Sequence, residues 1–127
     1  MEHSTDALGR PIQAGDFVLR PITDSHQIAV VNSISSLIGG NRLIEIIVPK
    51  FSSRFNHKTR TNRVYITTTT IRLSANYASL IHVPEMDLMV CKPIQALLKG
   101  WHGDNFNKML DKLMDLSKKA KEACLTQ

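Results

Sequence analysis

Cysteine is nearly absent from this chain: Cys91 and Cys124 are the two among 127 residues. They are far apart and match no metal-ligand spacing such as C-x-x-C, which speaks against a Cys-based zinc module, while a single pair leaves one disulfide open. They read as thiols in a reducing compartment. No apolar run approaches the roughly 18 residues that a membrane span requires. The opening Met1 to Asp6 is polar and acidic, unlike a secretory signal. These features point to a cytoplasmic protein with no membrane partner.

The usual marks of catalysis are missing too. There is no Gly-x-Gly-x-x-Gly, no Walker loop and no Gly-x-Ser-x-Gly. His3, His26, His57, His82 and His102 fall in five separate segments, none at metal spacing with another. Asp111 and Asp115 lie four apart on a helix, but Lys108, Lys112 and Lys119 beside them make that a solvated face. Cys91, next to Lys92, reads as a packing residue. The expectation is a non-enzymatic protein with no metal and no cofactor.

What the chain does have is charge of one sign in one place. Lys50 to Arg63 contains Lys50, Arg54, Lys58, Arg60 and Arg63, with His57, Phe51 and Phe55, and no acid. Elsewhere Lys and Arg balance Asp and Glu, so the net charge of +5 sits in these 14 residues. Apolar, β-branched runs flank it, Leu43 to Val48 before and Val64 to Leu73 after. The pattern predicts a cationic loop between two strands.

Periodicity and turn residues divide the remainder. Residues 1–8 are expected to be flexible, either disordered or weakly docked. Strands are expected over 17–22, 27–34, 42–49, 64–73 and 78–83, with Gly15 suited to a positive-φ turn and Gly39-Gly40-Asn41 to a tight one. Ser74 to Tyr77 resembles a single helical turn. Past Pro84 the texture changes, and Glu85 to Val90 reads either as an extended segment or as a helix start. Pro93 opens a short helix stopped by Gly100, and Asp104 caps a longer one to about Ala123. Phe106, Met109, Leu113, Leu116, Ala120 and Ala123 form its apolar stripe. The expected fold is mainly β with C-terminal helices (α+β): a small five-stranded barrel over 9–83 and a helical extension over 84–127.

The run Asp6-Ala-Leu-Gly9-Arg10-Pro11-Ile12-x-x-Gly15-Asp16-Phe17-Val18, followed by Val30-Val31-Asn32-Ser33-Ile34, resembles small phage-encoded SH3-like domains, and KOW-type domains are similar in outline. The resemblance implies an SH3-like barrel that binds nucleic acid or transcription machinery, in a host bacterial cytoplasm.

The candidate nucleic-acid-binding residues are therefore Lys50, Arg54, Phe55, Asn56, His57, Lys58, Arg60 and Arg63. Arginines fork onto phosphate oxygens, lysines act as point charges, and Asn56, Thr59, Thr61 and Asn62 add neutral donors. Phe51 and Phe55 either stack on bases or anchor the loop on the barrel, anchoring being favoured. DNA is the preferred partner, with RNA left open. A rival expectation is a viral protein-interaction module that docks on and inhibits a host enzyme, transcription factor or defence complex. The helical stripe either packs on the barrel, leaving a monomer, or pairs in a homodimer.

Overall fold

In the computed structural model the described residues are 3–23, 25–36, 42–74, 79–97 and 103–125. Two short strands, β1 (His3–Thr5) and β2 (Pro11–Gln13), pair with each other. The main sheet comprises β3 (Phe17–Ile22), β4 (Ser25–Ser36), β5 (Arg42–Asn56), β6 (Thr61–Ser74) and β7 (Ile81–Val83). All its pairs are antiparallel, in the order β6-β5-β4-β3-β7. Three helices follow: α1 (Glu85–Val90), α2 (Lys92–Leu97) and α3 (Asp104–Leu125). Among the described residues no helix is long and apolar enough to cross a membrane.

Alternation along the central strands places apolar side chains on both faces of the sheet, and each face has its own core. On one face Phe17, Leu19, Ile28, Val30 and Val83 meet Leu88 of α1 and Met109, Leu113 and Leu116 of α3. On the other Val18, Ala29, Val31, Ile44, Ile46 and Val48 close on Ile12 of β2 and on Leu80. The register of β4 shifts between Val31 and Ser33. That bulge lets Val31 and Ile34, three apart, enter the same core. Glu45, the one acid in β5, accepts from Asn32 Nδ2 at 2.7 Å and Arg72 Nε at 3.1 Å.

The five expected strands are present and antiparallel, but the sheet is open: β6 and β7 lie at its two ends without pairing to each other. A closed SH3-like barrel would need β7 to offer a second edge to β6. β7 is only three residues long, and β5 and β6 run outward together instead of coiling round to meet it. The stripe of α3 packs on the first face of the sheet, with Met109 and Leu113 fully buried, and Asp115 pairs with Lys119 at 3.1 Å on the outer side. Ser117 Oγ donates to the Gly15 carbonyl at 2.6 Å. Gly15 has φ +93°, and a Cβ there would collide with the Lys121 side chain of α3. The expected turns at Gly39-Gly40-Asn41 and Ser74 to Tyr77, and the stop at Gly100, lie wholly or partly outside the described residues.

The N-terminal segment, expected to be disordered or weakly docked, is tied down from His3 onward. The buried carboxylate of Asp6 accepts from the backbone N–H groups of Leu8 (2.9 Å), Arg10 (2.8 Å) and His82 (2.9 Å) and from Arg10 Nε (3.1 Å). One aspartate thus joins the β1–β2 connection to β7. Burial pushes this carboxyl up, but the bonds from His82, Arg10 and Leu8 together outweigh it and hold it below the ordinary aspartate range. A carboxyl depressed on folding stabilises the protein above its unfolded pKa of about 3.9. That contribution is lost as pH falls through the folded value. Asp6→Asn is therefore less stable than wild type at pH 7, and the gap in urea midpoint narrows below about pH 4. A gap of constant size from pH 7 to pH 2 would contradict this assignment.

Candidate nucleic-acid interface

The cationic segment is a β-ribbon rather than a loop. The pairing of β5 with β4 ends at Ile47, whereas its pairing with β6 continues without a break from Val48–Thr69 to Asn56–Thr61. Pro49, which has no N–H to offer a ladder, stands where β5 is left with β6 alone. From there the two strands project as an arm roughly 25–30 Å long. Its side chains are exposed from Ser53 through Tyr65. The sequence suggested a loop because charge and polarity interrupt the apolar alternation. The backbone pairing continues regardless, because Thr, Tyr, Val and Phe suit a ribbon wetted on both faces.

The tip is a turn over 57–60, and Asn56 builds it. Asn56 Oδ1 accepts from the Lys58 N–H at 2.9 Å and the Thr59 N–H at 3.4 Å. Thr59 and Thr61 share a hydroxyl hydrogen bond at 2.7 Å. Arg60 takes φ +53°, the left-handed position that closes the turn. The Asn56 side-chain oxygen is thus committed to the protein's own backbone, while its amide remains on the surface.

Register sorts the arm into two faces. Lys50, Ser52, Arg54 and Asn56 of β5 lie opposite Thr67, Tyr65, Arg63 and Thr61 of β6. On the other side Phe51, Ser53 and Phe55 lie opposite Ile66, Val64 and Asn62. Lys50, Arg54 and Arg63 therefore share one face, with Arg54 directly across from Arg63, while Lys58 and Arg60 sit in the turn. Among the described residues none of these five cations has a carboxylate partner; the ion pairs join Arg10–Asp6, Arg72–Glu45, His82–Asp16 and Lys119–Asp115.

The two phenylalanines behave differently. Phe51, half-buried, packs against the core beneath α3 and anchors the root of the arm, as expected. Phe55 is 46% exposed; it anchors nothing, and its ring meets His57 edge-on at a centroid distance of 4.8 Å. One residue of the cationic face was not singled out from the sequence. Tyr65 is 42% exposed and lies next to Arg63 on that face. Only the register, not the composition of 50–63, brings it there. Arg54, Phe55, Asn56, His57, Lys58, Arg63 and Tyr65 line one open hollow of about 910 Å³.

Among the described residues no three His, Cys, Asp or Glu side chains could hold a metal ion, and Cys91 and Cys124 are free thiols. No family model matches the chain, and neither a curated protein nor a solved structure matches it.

Proposed function

We propose that this chain is a non-enzymatic nucleic-acid-binding protein, with DNA as its first partner, that grips the phosphate backbone through the β5–β6 arm. The observation that carries the reading is Arg54 directly opposite Arg63, within a segment of five cations and no acid. Like charges directly opposed across two strands destabilise the ribbon. The pair therefore favours a state in which an anion lies across both guanidiniums, whose planar forks match phosphate oxygens. The exposed tip adds Lys58 and Arg60 without any competing carboxylate. The resemblance to phage SH3-like domains supports a role in host or viral transcription or other DNA transactions in a bacterial cytoplasm.

Each phosphate neutralised releases counterions, so affinity depends on salt. Five contacts give a log–log slope of roughly −4 to −5, and binding weakens roughly 10²–10³-fold between 50 and 200 mM salt. Filter binding over that range reads the slope directly. An affinity that stays flat with salt would remove the proposal.

A second reading, docking on a host protein, has one observation in its favour: Met86, Met89 and Val90 of α1 are all exposed. A pull-down from bacterial lysate with and without nuclease separates the two. Recovery of a host protein after nuclease treatment supports docking, and loss of everything recovered supports nucleic acid.

A further inference from the structure

The arm's cationic face carries an exposed aromatic ring, Tyr65, on which no other ring stacks among the described residues. Tyr65 is 42% exposed and stands opposite Ser52, a small residue. Ser52 Oγ is hydrogen-bonded to Thr67 Oγ1 at 3.1 Å, which turns it away from Tyr65. Phe55, the arm's other exposed phenyl or phenol ring, also borders the hollow, but it starts from the opposite side of the ribbon and is already engaged edge-on by His57. Arg63 lies two residues from Tyr65 on one strand, so their side chains project in the same direction roughly 6–7 Å apart. Arg54 is its diagonal neighbour on the other strand, within reach of a long side chain. All three line the same hollow.

We infer that Tyr65 is a base-stacking platform and that the arm's ligand is unpaired nucleic acid, with one base on the ring and its flanking phosphates on Arg54 and Arg63. This rests on the reading of the arm as the nucleic-acid site and narrows its substrate class. A single strand offers every base as a free π-face beside its own phosphates, which an aromatic ring flanked by cations matches without sequence preference. A base in a duplex is covered above and below by its neighbours and must leave the stack before it can lie on Tyr65. A ribbon bearing only cations would bind either form. The exposed ring favours the single strand.

Fluorescence anisotropy on the full chain tests this with three labelled probes: a 15-nucleotide oligo-dT, a 15-nucleotide oligo-rU and a 15-base-pair duplex. Both single strands bind more tightly than the duplex. Tyr65→Ala weakens single-strand binding roughly 5- to 150-fold and changes duplex binding little. Tyr65→Leu keeps apolar bulk in the ribbon and shows the same loss, whereas Tyr65→Phe restores the ring and the affinity. None of the three alters the salt slope, because the ring is uncharged; removal of the arginines does. Duplex binding at least as tight as either single strand would overturn the inference. So would a loss below twofold in both Tyr65→Ala and Tyr65→Leu. Either result leaves phosphate binding by the arm intact, since that reading fails instead if wild type shows no salt-dependent binding to any probe or if removing the arm's cations leaves binding unchanged.

Discussion

Replacing Arg54 and Arg63 with threonine, Lys58 with serine and Arg60 with asparagine is expected to weaken DNA binding roughly 10³-fold or more at 50 mM salt, without lowering the thermal midpoint. Removing four of five cations takes the log–log slope from about −4.5 to about −1, and the lost affinity is the counterion release those contacts supplied. The stability change has the opposite sign for a local reason. Arg54 and Arg63 face each other across the ribbon, and exchanging a like-charge pair for two threonines gains on the order of 0.2–1 kcal/mol. Asparagine also suits the positive φ of Arg60 better than arginine does. Gel shift and a thermal melt on one preparation check both halves. If affinity is unchanged, the arm is not the binding site. If the midpoint drops sharply, these cations hold the fold together and the ribbon geometry needs another explanation.

The second large effect concerns the roof of the sheet. Leu113→Ala is expected to cost about 2–5 kcal/mol, a large share of the roughly 5–15 kcal/mol by which a domain of this kind is stable. Leu113 is fully buried among Ile28, Val30, Leu88 and Met109, in a layer bounded by β4 below and the α3 backbone above. A helix and a sheet cannot both close over the missing atoms, so a cavity remains. Leu125→Ala serves as the control: Leu125 is 74% exposed, and its loss stays within about 0.5 kcal/mol. Urea denaturation of both variants is the measurement. Near-equal midpoints would mean that α3 does not rest on the sheet in solution.

Burial on this face also explains what becomes of the helical stripe. Met109, Leu113, Leu116 and Ala120, spaced four, three and four apart, are the buried residues of α3 together with Ser117. They are consumed within the chain, so this stripe offers no apolar seam to a second copy while α3 stays on the sheet.

The positions of the five main strands and the long helix were legible because each rests on neighbours in sequence. Loose alternation marked Phe17–Ile22, a nearly continuous apolar run marked Ile28–Val31, a three-four spacing marked α3, and Gly15 marked its positive-φ turn. The concentration of charge in Lys50 to Arg63 was equally plain, since it needs only counting. Three things were not legible, and each depends on atoms distant in sequence. Asp6 orders the N-terminal segment through His82, which lies in β7. The sheet stays open because a three-residue β7 cannot reach β6. The cationic stretch is a ribbon because fourteen successive residue pairs of β5 and β6 stay in register from Leu43–Ser74 to Asn56–Thr61.

The sequence by itself determined that the chain has a strand-rich body, a helical end and one acid-free cationic stretch; local propensity and side-chain charge do not change with the fold. Tertiary structure alone decided which side chains share a face. A strand's period of two makes every assignment depend on its partner's register, and one residue of slip would turn Arg63 and Tyr65 to the opposite side from Arg54.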